Sequence, residues 1–248
     1  MILIKKAAAI LSLSLFLASG TVYANANVPV TEEAQVNAAT LLKNSYTYLG
    51  SLNKYAFTAS ITNSVDVDGE DVVIKRIADV KVKRPDQFRI DSKGENFNRS
   101  SYLSNGVFTM IENEEKYYAS VKTGKGIDGT LDMINKKLGI VIPLSTLLHS
   151  DMDKFIHPKR VQYFGTRTVS GVECNYIAFR QGSTVVHLWI ENSDTPLVRS
   201  AKIVTNDKNE RGTTDMVMRW DTKPGFSDAV FVFKAPKGAC NIAIRPAK

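Results

Sequence analysis

The chain has 248 residues, 44% of them hydrophobic, and a formal net charge of +7 at pH 7. That is enough apolar material to bury a core without metals to staple it. Lysines and arginines are scattered, with no basic stripe interleaved with aromatics, which argues against a nucleic-acid partner. Weak, peripheral attraction to an anionic membrane surface stays compatible with the charge.

Residues 1–26 read as a secretory signal. Lys5 and Lys6 precede an apolar run from Ala7 to Ala18, and Val22-Tyr23-Ala24 or Ala24-Asn25-Ala26 supplies small residues for cleavage. The run is shorter than the roughly 20 residues that span a bilayer. No cysteine stands near the cleavage site, so no lipid anchor is expected. Losing Lys5 and Lys6 lowers the net charge from +7 to +5. The mature chain, 27–248, is expected to be a periplasmic, soluble, monomeric protein of one domain.

From Thr31 to Leu52 the pattern is helical. Val36, Ala39, Leu42, Tyr46 and Leu49 recur at three- and four-residue steps, with Thr31 as the cap. The period then changes to two. Tyr55, Phe57, Ala59 and Ile61 alternate with polar residues; Asp68-Gly69 turns the chain; Val72, Ile74, Ala78, Val80 and Val82 share one face, with Arg76 interrupting. Phe88 and Ile90 open the next strand, and Asn105-Gly106 marks a hairpin before Val107 to Ile111. Tyr117 to Val121 follows. Leu131, Ile134 and Leu138 fall at helical spacing and Gly139 is a natural stop. An unusually apolar stretch runs from Ile140 to Leu148. Strands then return at hairpin spacing: Val161 to Thr168, Val172 to Arg180, Thr184 to Ile190, Leu197 to Thr205, Thr213 to Trp220 and Ala229 to Phe233.

The elements amount to one long helix, about ten or eleven strands in an antiparallel meander, and one or two short central helices. So large a sheet must curl to limit its edges. The expected fold is therefore α+β: a strongly curved antiparallel sheet forming a half-open β-barrel, with an N-terminal helix and a helical lid.

Enzyme signatures are missing. The chain has no Gly-x-Ser-x-Gly elbow, phosphate-binding glycine loop or His-Glu-x-x-His. Asp66, Asp68, Glu70 and Asp71 lack the bidentate acid of a calcium loop and sit at a hairpin tip. His149, Asp151, Asp153 and His157 match no zinc spacing and read as surface residues beside a helix end. No cofactor or metal is implied. Cys174 and Cys240, 66 positions apart, favour a disulfide in an oxidising compartment, with two buried free thiols as the alternative. Such a loop would contribute roughly 4 kcal/mol on a chain-entropy basis.

What stands out is apolar. The sheet supplies Phe57, Val80, Phe88, Phe108, Met110, Leu188 and Met218, and the middle segment Leu131, Ile134, Leu147 and Leu148. Any one of them could be ordinary core. As a set they fit a barrel too wide to fill with its own side chains, under a movable lid. Such a barrel would hold a lipid-like ligand at about 0.8 kcal/mol per buried methylene, and methionines suit variable chains.

Three motifs carry a resemblance. Val82-Lys83-Arg84-Pro85 with Phe88-Arg89, Ser104-Asn105-Gly106 with the strand after it, and Phe231-Val232-Phe233 with Pro236, Gly238 and Ala239 fall in one register. They resemble the LolA/LolB-like periplasmic lipoprotein carriers, and more closely a LolA-like family with domain of unknown function 2092. The resemblance spans about Gln35 to Ala239. It implies an open barrel whose cavity accepts acyl chains under a helical lid, and for Arg84 a hydrogen bond to that lid. Strand phase also puts Arg84 at the barrel mouth, beside Val80 and Val82. Arg76, in the same phase, is a second candidate, because a buried arginine needs an anion: a lipid head group or a lid acid such as Asp132. The cysteine pair and residues 151–158 depart from the carrier pattern, and Phe108 and Met110 replace its tryptophan.

The reading is a non-enzymatic periplasmic protein that binds a lipid or lipoprotein acyl chain. The rival is an envelope sensory or protein-interaction module on the same fold. There the interior is filled, and an envelope protein docks at a sheet edge.

Overall fold

A computed structural model describes residues 32–124, 126–142, 144–207 and 211–244, with side chains from residue 38 onward. The expected signal in 1–26 and the expected cap at Thr31 lie outside the described residues. Helix α1 (Glu32–Ser51) has the expected extent. Its buried stripe is Ala38, Leu42, Ser45 and Leu49, in steps of four, three and four. Ala39, expected on that stripe, is exposed, since it lies one residue, about 100°, round the helix from Ala38.

Six strands follow: β1 (Lys54–Val67), β2 (Glu70–Lys83), β3 (Gln87–Gly94), β4 (Phe97–Ser104), β5 (Val107–Glu112) and β6 (Tyr117–Lys122). Helix α2 (Ile127–Leu138) and a strap carrying two 3-10 turns, Ser145–Leu147 and Met152–Lys154, lead to the second run. That run is β7 (Val161–Val169), β8 (Val172–Gln181), β9 (Thr184–Glu191), β10 (Val198–Asn206) and β11 (Arg211–Asp221), with a short β12 (Cys240–Asn241) near the end. All twelve form one sheet in the order β12-β6-β5-β4-β3-β2-β1-β11-β10-β9-β8-β7. Every pairing is antiparallel except β12 with β6. The edge strands β7 and β12 do not pair, so the curved sheet stays an open barrel, an α+β fold.

Asp68-Gly69 and Asn105-Gly106 take positive φ at both positions, the geometry that two-residue hairpins require. The β1–β2 hairpin is longer than expected, and on the β2 side its far end runs past its neighbour, while β1 stays paired with β11 out to Val65. Strand β3 stops at Gly94, opposite Arg76. Val72 and Ile74, expected on the buried face, are therefore exposed. The expected strand Ala229–Phe233 is instead a 3-10 turn, Asp228–Phe231. Its aromatics dock separately: Phe231 packs edge-on to Phe226, and Phe233 covers Tyr102 and Tyr118 on the outside of the sheet.

The expected disulfide is not formed. Cys174 is buried on β8 and free, and Cys240 is exposed and free on β12. Nine strands stand between them in the sheet order, which puts them near opposite edges of a barrel that does not close.

Candidate functional site

The two halves of the sheet's inner face are filled differently. Across the first half, Tyr55, Val82, Phe88, Leu103 and Phe108 stand opposite one another in one register row. All are completely buried, beneath α2 and Leu148. Across the second half α1 packs on β7, β8 and β9. Between it, the strap and β8–β11 is a cavity of about 860 Å³, well within the range of about 300–1,000 Å³ typical of small-molecule sites. Its walls include Leu42 and Leu49 of α1, Leu131, Ile134, Asp132 and Lys136 of α2, residues 140–142 and 144–147 of the strap, and Phe179, Gln181, Val186, Leu188, Ala201, Ile203, Met216 and Met218 of the sheet.

Among the sequence-predicted residues, Arg76, Leu131, Ile134, Leu147, Leu188 and Met218 line this cavity. Phe57, Val80, Phe88, Phe108 and Leu148 do not; they are solid core of the first half, and Met110 packs against that core. The difference is what faces them, since Leu148 and α2 sit directly over these strands. Phe179, Val186, Ile203 and Met216 were missed as wall residues. Their signal was available, because Val186 and Met216 share strand phase with Leu188 and Met218.

Arg84, just past the end of β2, does not line the cavity but holds the strap. Its Nη1 donates to the Leu148 carbonyl at 2.7 Å and its Nη2 to the His149 carbonyl at 3.0 Å. Nε donates to Leu52 O at 3.2 Å, and the guanidinium lies 5.5 Å from the Tyr55 ring centre. The Tyr55 hydroxyl donates to Leu147 O at 2.8 Å, and burial pushes its pKa up, so it stays a donor. From α2, Asp128 accepts the Ser150 hydroxyl at 2.6 Å and its backbone N–H at 3.1 Å. Strap residues 147–150 are thus tied down by β1, β2 and α2 together.

His149 is buried rather than on the surface as expected. Its ring packs on Phe155 at 4.1 Å, and Nδ1 lies 3.7 Å from Asp128 with no hydrogen-bond partner. Burial lowers its pKa despite Asp128 and Asp132, with Arg84 and Lys154 acting in the same direction as burial. His149 does not join Asp151, Asp153 and His157; among the described residues no three metal-ligating side chains gather. The acids at the β1–β2 tip serve the turn, where Asp66 accepts the Gly69 N–H at 2.9 Å.

The family model described as "Predicted periplasmic protein (DUF2092)" matches residues 38–245. The chain belongs to this family. The family description places it in the periplasm, and among the described residues of this DUF2092 protein no helix is long and apolar enough to cross a membrane. No curated protein sequence matches it. Among solved structures it is similar to an uncharacterized conserved protein from Thermus thermophilus (11% identity, 84% of this chain and 99% of that one, TM-score 0.48). It is also similar to the Mycobacterium tuberculosis lipoprotein LppX (13%, 80% and 100%, 0.47). A LolA superfamily protein from Nitrosomonas europaea matches more loosely (7%, 79% and 97%, 0.39). These are distant likenesses, and the reading of the site rests on its own geometry.

Proposed function

We propose that this DUF2092 protein is a periplasmic binding protein, acting as a single-domain monomer without catalysis, that holds the acyl part of a lipid or lipoprotein in the cavity. The observation that carries this is a cavity of about 860 Å³ whose walls are mainly apolar, with polar residues such as Asp132, Lys136 and Gln181 among them. An acyl chain gains about 0.8 kcal/mol per buried methylene. Association costs about 4–15 kcal/mol, so short chains leave no surplus and long-chain amphiphiles are the class that fits. The strap roofs the cavity and is fastened by Arg84 at one end, so loading requires the strap to lift or slide. The unfilled volume supports this reading over the interaction-module alternative, which expects a packed interior.

The test is native mass spectrometry of delipidated protein incubated with a palmitoylated peptide or with phospholipid vesicles. A one-to-one adduct is expected, lost when Ala201, an inner-face wall residue, is replaced by phenylalanine. An unchanged apo mass in both incubations overturns the reading.

A further inference from the structure

Among the polar residues of the cavity wall, one stands on the inner face of the sheet in the middle of an apolar row. Arg76 stands in an inner-face register row whose other members are Ile61 on β1, Met216 on β11, Ala201 on β10 and Leu188 on β9. It lines the cavity with three of them. Its Nε is buried with no hydrogen-bond partner, and among the described residues no carboxylate pairs with it. The lid acid expected to pair with it, Asp132, lines the same cavity but faces Lys136 at 3.8 Å. Arg76 is half-buried, and that burial lowers its pKa.

Two further orphans surround it. Ser92 on β3 is opposite Ala78, one inner-face position from Arg76, and its hydroxyl is buried without a partner. Asn63 on β1 is opposite Ile74, one inner-face position the other way. Its amide donates to Thr214 Oγ1 at 2.9 Å, leaving Oδ1 buried and unpartnered. Buried polar groups in folded proteins are almost always satisfied. Of these three unsatisfied groups, on the adjacent strands β1, β2 and β3, Arg76 lines the cavity and the other two stand beside it in register, and together they mark a place for a polar group that comes from outside the chain.

We infer that Arg76, flanked by Ser92 and Asn63, is the head-group site of the cavity, and that the preferred ligand is a long-chain amphiphile with an anionic oxygen head, carboxylate or phosphate. The inference rests on the acyl-binding reading and deepens it. The guanidinium offers a fork of donors that matches either head group, and Ser92 adds one more. Asn63 Oδ1 accepts from a head-group hydroxyl or from a bound water. The chain then runs from Arg76 along the Met216–Ala201–Leu188 row toward α1. Arg76 and Arg84 therefore divide the work, since one reads the ligand and the other holds the strap. Arg76 is on β2, and Arg84 follows eight residues later, just past the strand's end.

The experiment titrates mature protein with three ligands of equal chain length: hexadecanoate, hexadecyl phosphate and hexadecanol. Native mass spectrometry follows the one-to-one adduct. At least one anionic ligand is expected to bind about tenfold or more tighter than hexadecanol, and the better of the two identifies the head group. Arg76→Met is expected to abolish the preference while hexadecanol binding persists, and Arg76→Lys to keep part of it. Equal binding of all three by wild type overturns the head-group site and leaves the acyl-binding reading standing. A preference undiminished in Arg76→Met also overturns it. Binding of none overturns both. Should Arg76→Met fail to fold, the wild-type ligand series and Arg76→Lys decide the question alone.

Discussion

Replacing Arg84 with methionine keeps the aliphatic stem and removes the guanidinium that joins β2 to the strap. Two of its hydrogen bonds end on strap carbonyls, those of Leu148 at 2.7 Å and His149 at 3.0 Å. A third ends on the Tyr55 hydroxyl at 3.3 Å, which in turn donates to Leu147 O. Hydrogen bonds to a charged donor contribute about 1.5–3 kcal/mol each. The site is part-buried, and the carbonyls regain water when the strap lifts, so the lower end of that range applies. The sum for the two strap bonds is about 3 kcal/mol, which corresponds to about a hundredfold rise in the opening equilibrium. Hydrogen-exchange mass spectrometry reads this directly. Amides of Leu147, Leu148 and Ser150, now bonded to Leu144, Ser145 and Asp128, should exchange about a hundred times faster in the variant. Peptides of β1 and β2 should be unchanged. Strap exchange that stays at the wild-type rate, or that rises no more than exchange across the whole sheet, refutes the clamp.

Three other outcomes follow from the same geometry. Ala201→Phe points a ring into open volume and is expected to block amphiphile uptake with little loss of stability. Ala59→Phe, at a fully buried core position, overpacks and should cost about 1–3 kcal/mol by chemical denaturation. His149 has a pKa lowered below its ordinary 6.5, chiefly by burial. The unfolded state therefore takes up the proton first, so its stabilising contribution is present above pH 6.5 and is lost as pH falls through the folded value. Unfolding free energies measured from pH 7.5 to 5 should fall by up to about 1.4 kcal/mol per pH unit in that window, and His149→Gln should flatten the curve. Thiol titration of the native protein should find one fast group, Cys240, and a second, Cys174, only after denaturation. A protein with no reactive thiol until reductant is added would contradict the sheet order.

The sheet was legible because strand alternation and Asx-Gly turns are local signals. Tyr55 to Ile61 and the hairpins at Asp68-Gly69 and Asn105-Gly106 announce themselves within ten residues. The cavity was only half legible. Strand phase says that Phe88 and Leu188 both face inward, but not that Leu148 and α2 cover one while open space faces the other. That depends on where the strap lies, and no periodicity encodes it. Phe231-Val232-Phe233 alternates like a strand, yet its rings fill separate sites, so a turn serves them better than a ladder. The cysteine pairing failed for a topological reason: proximity of Cys174 and Cys240 requires a closed barrel, and β12 joins β6 at the edge remote from β8. Arg84 was found through the Lys-Arg-Pro motif. Arg76 was found by phase, but its missing partner needs the registers of three strands at once.

The central claim is that the cavity is a ligand site and not a packing defect. Its most direct measurement is lipid analysis of the protein expressed from its full sequence and purified from the cell envelope without detergent. A co-purifying long-chain acyl species is expected in near-equimolar amount, absent from Ala201→Phe. A chloroform extract with no acyl species above a control protein, together with an apo mass in the native spectrum, would contradict it.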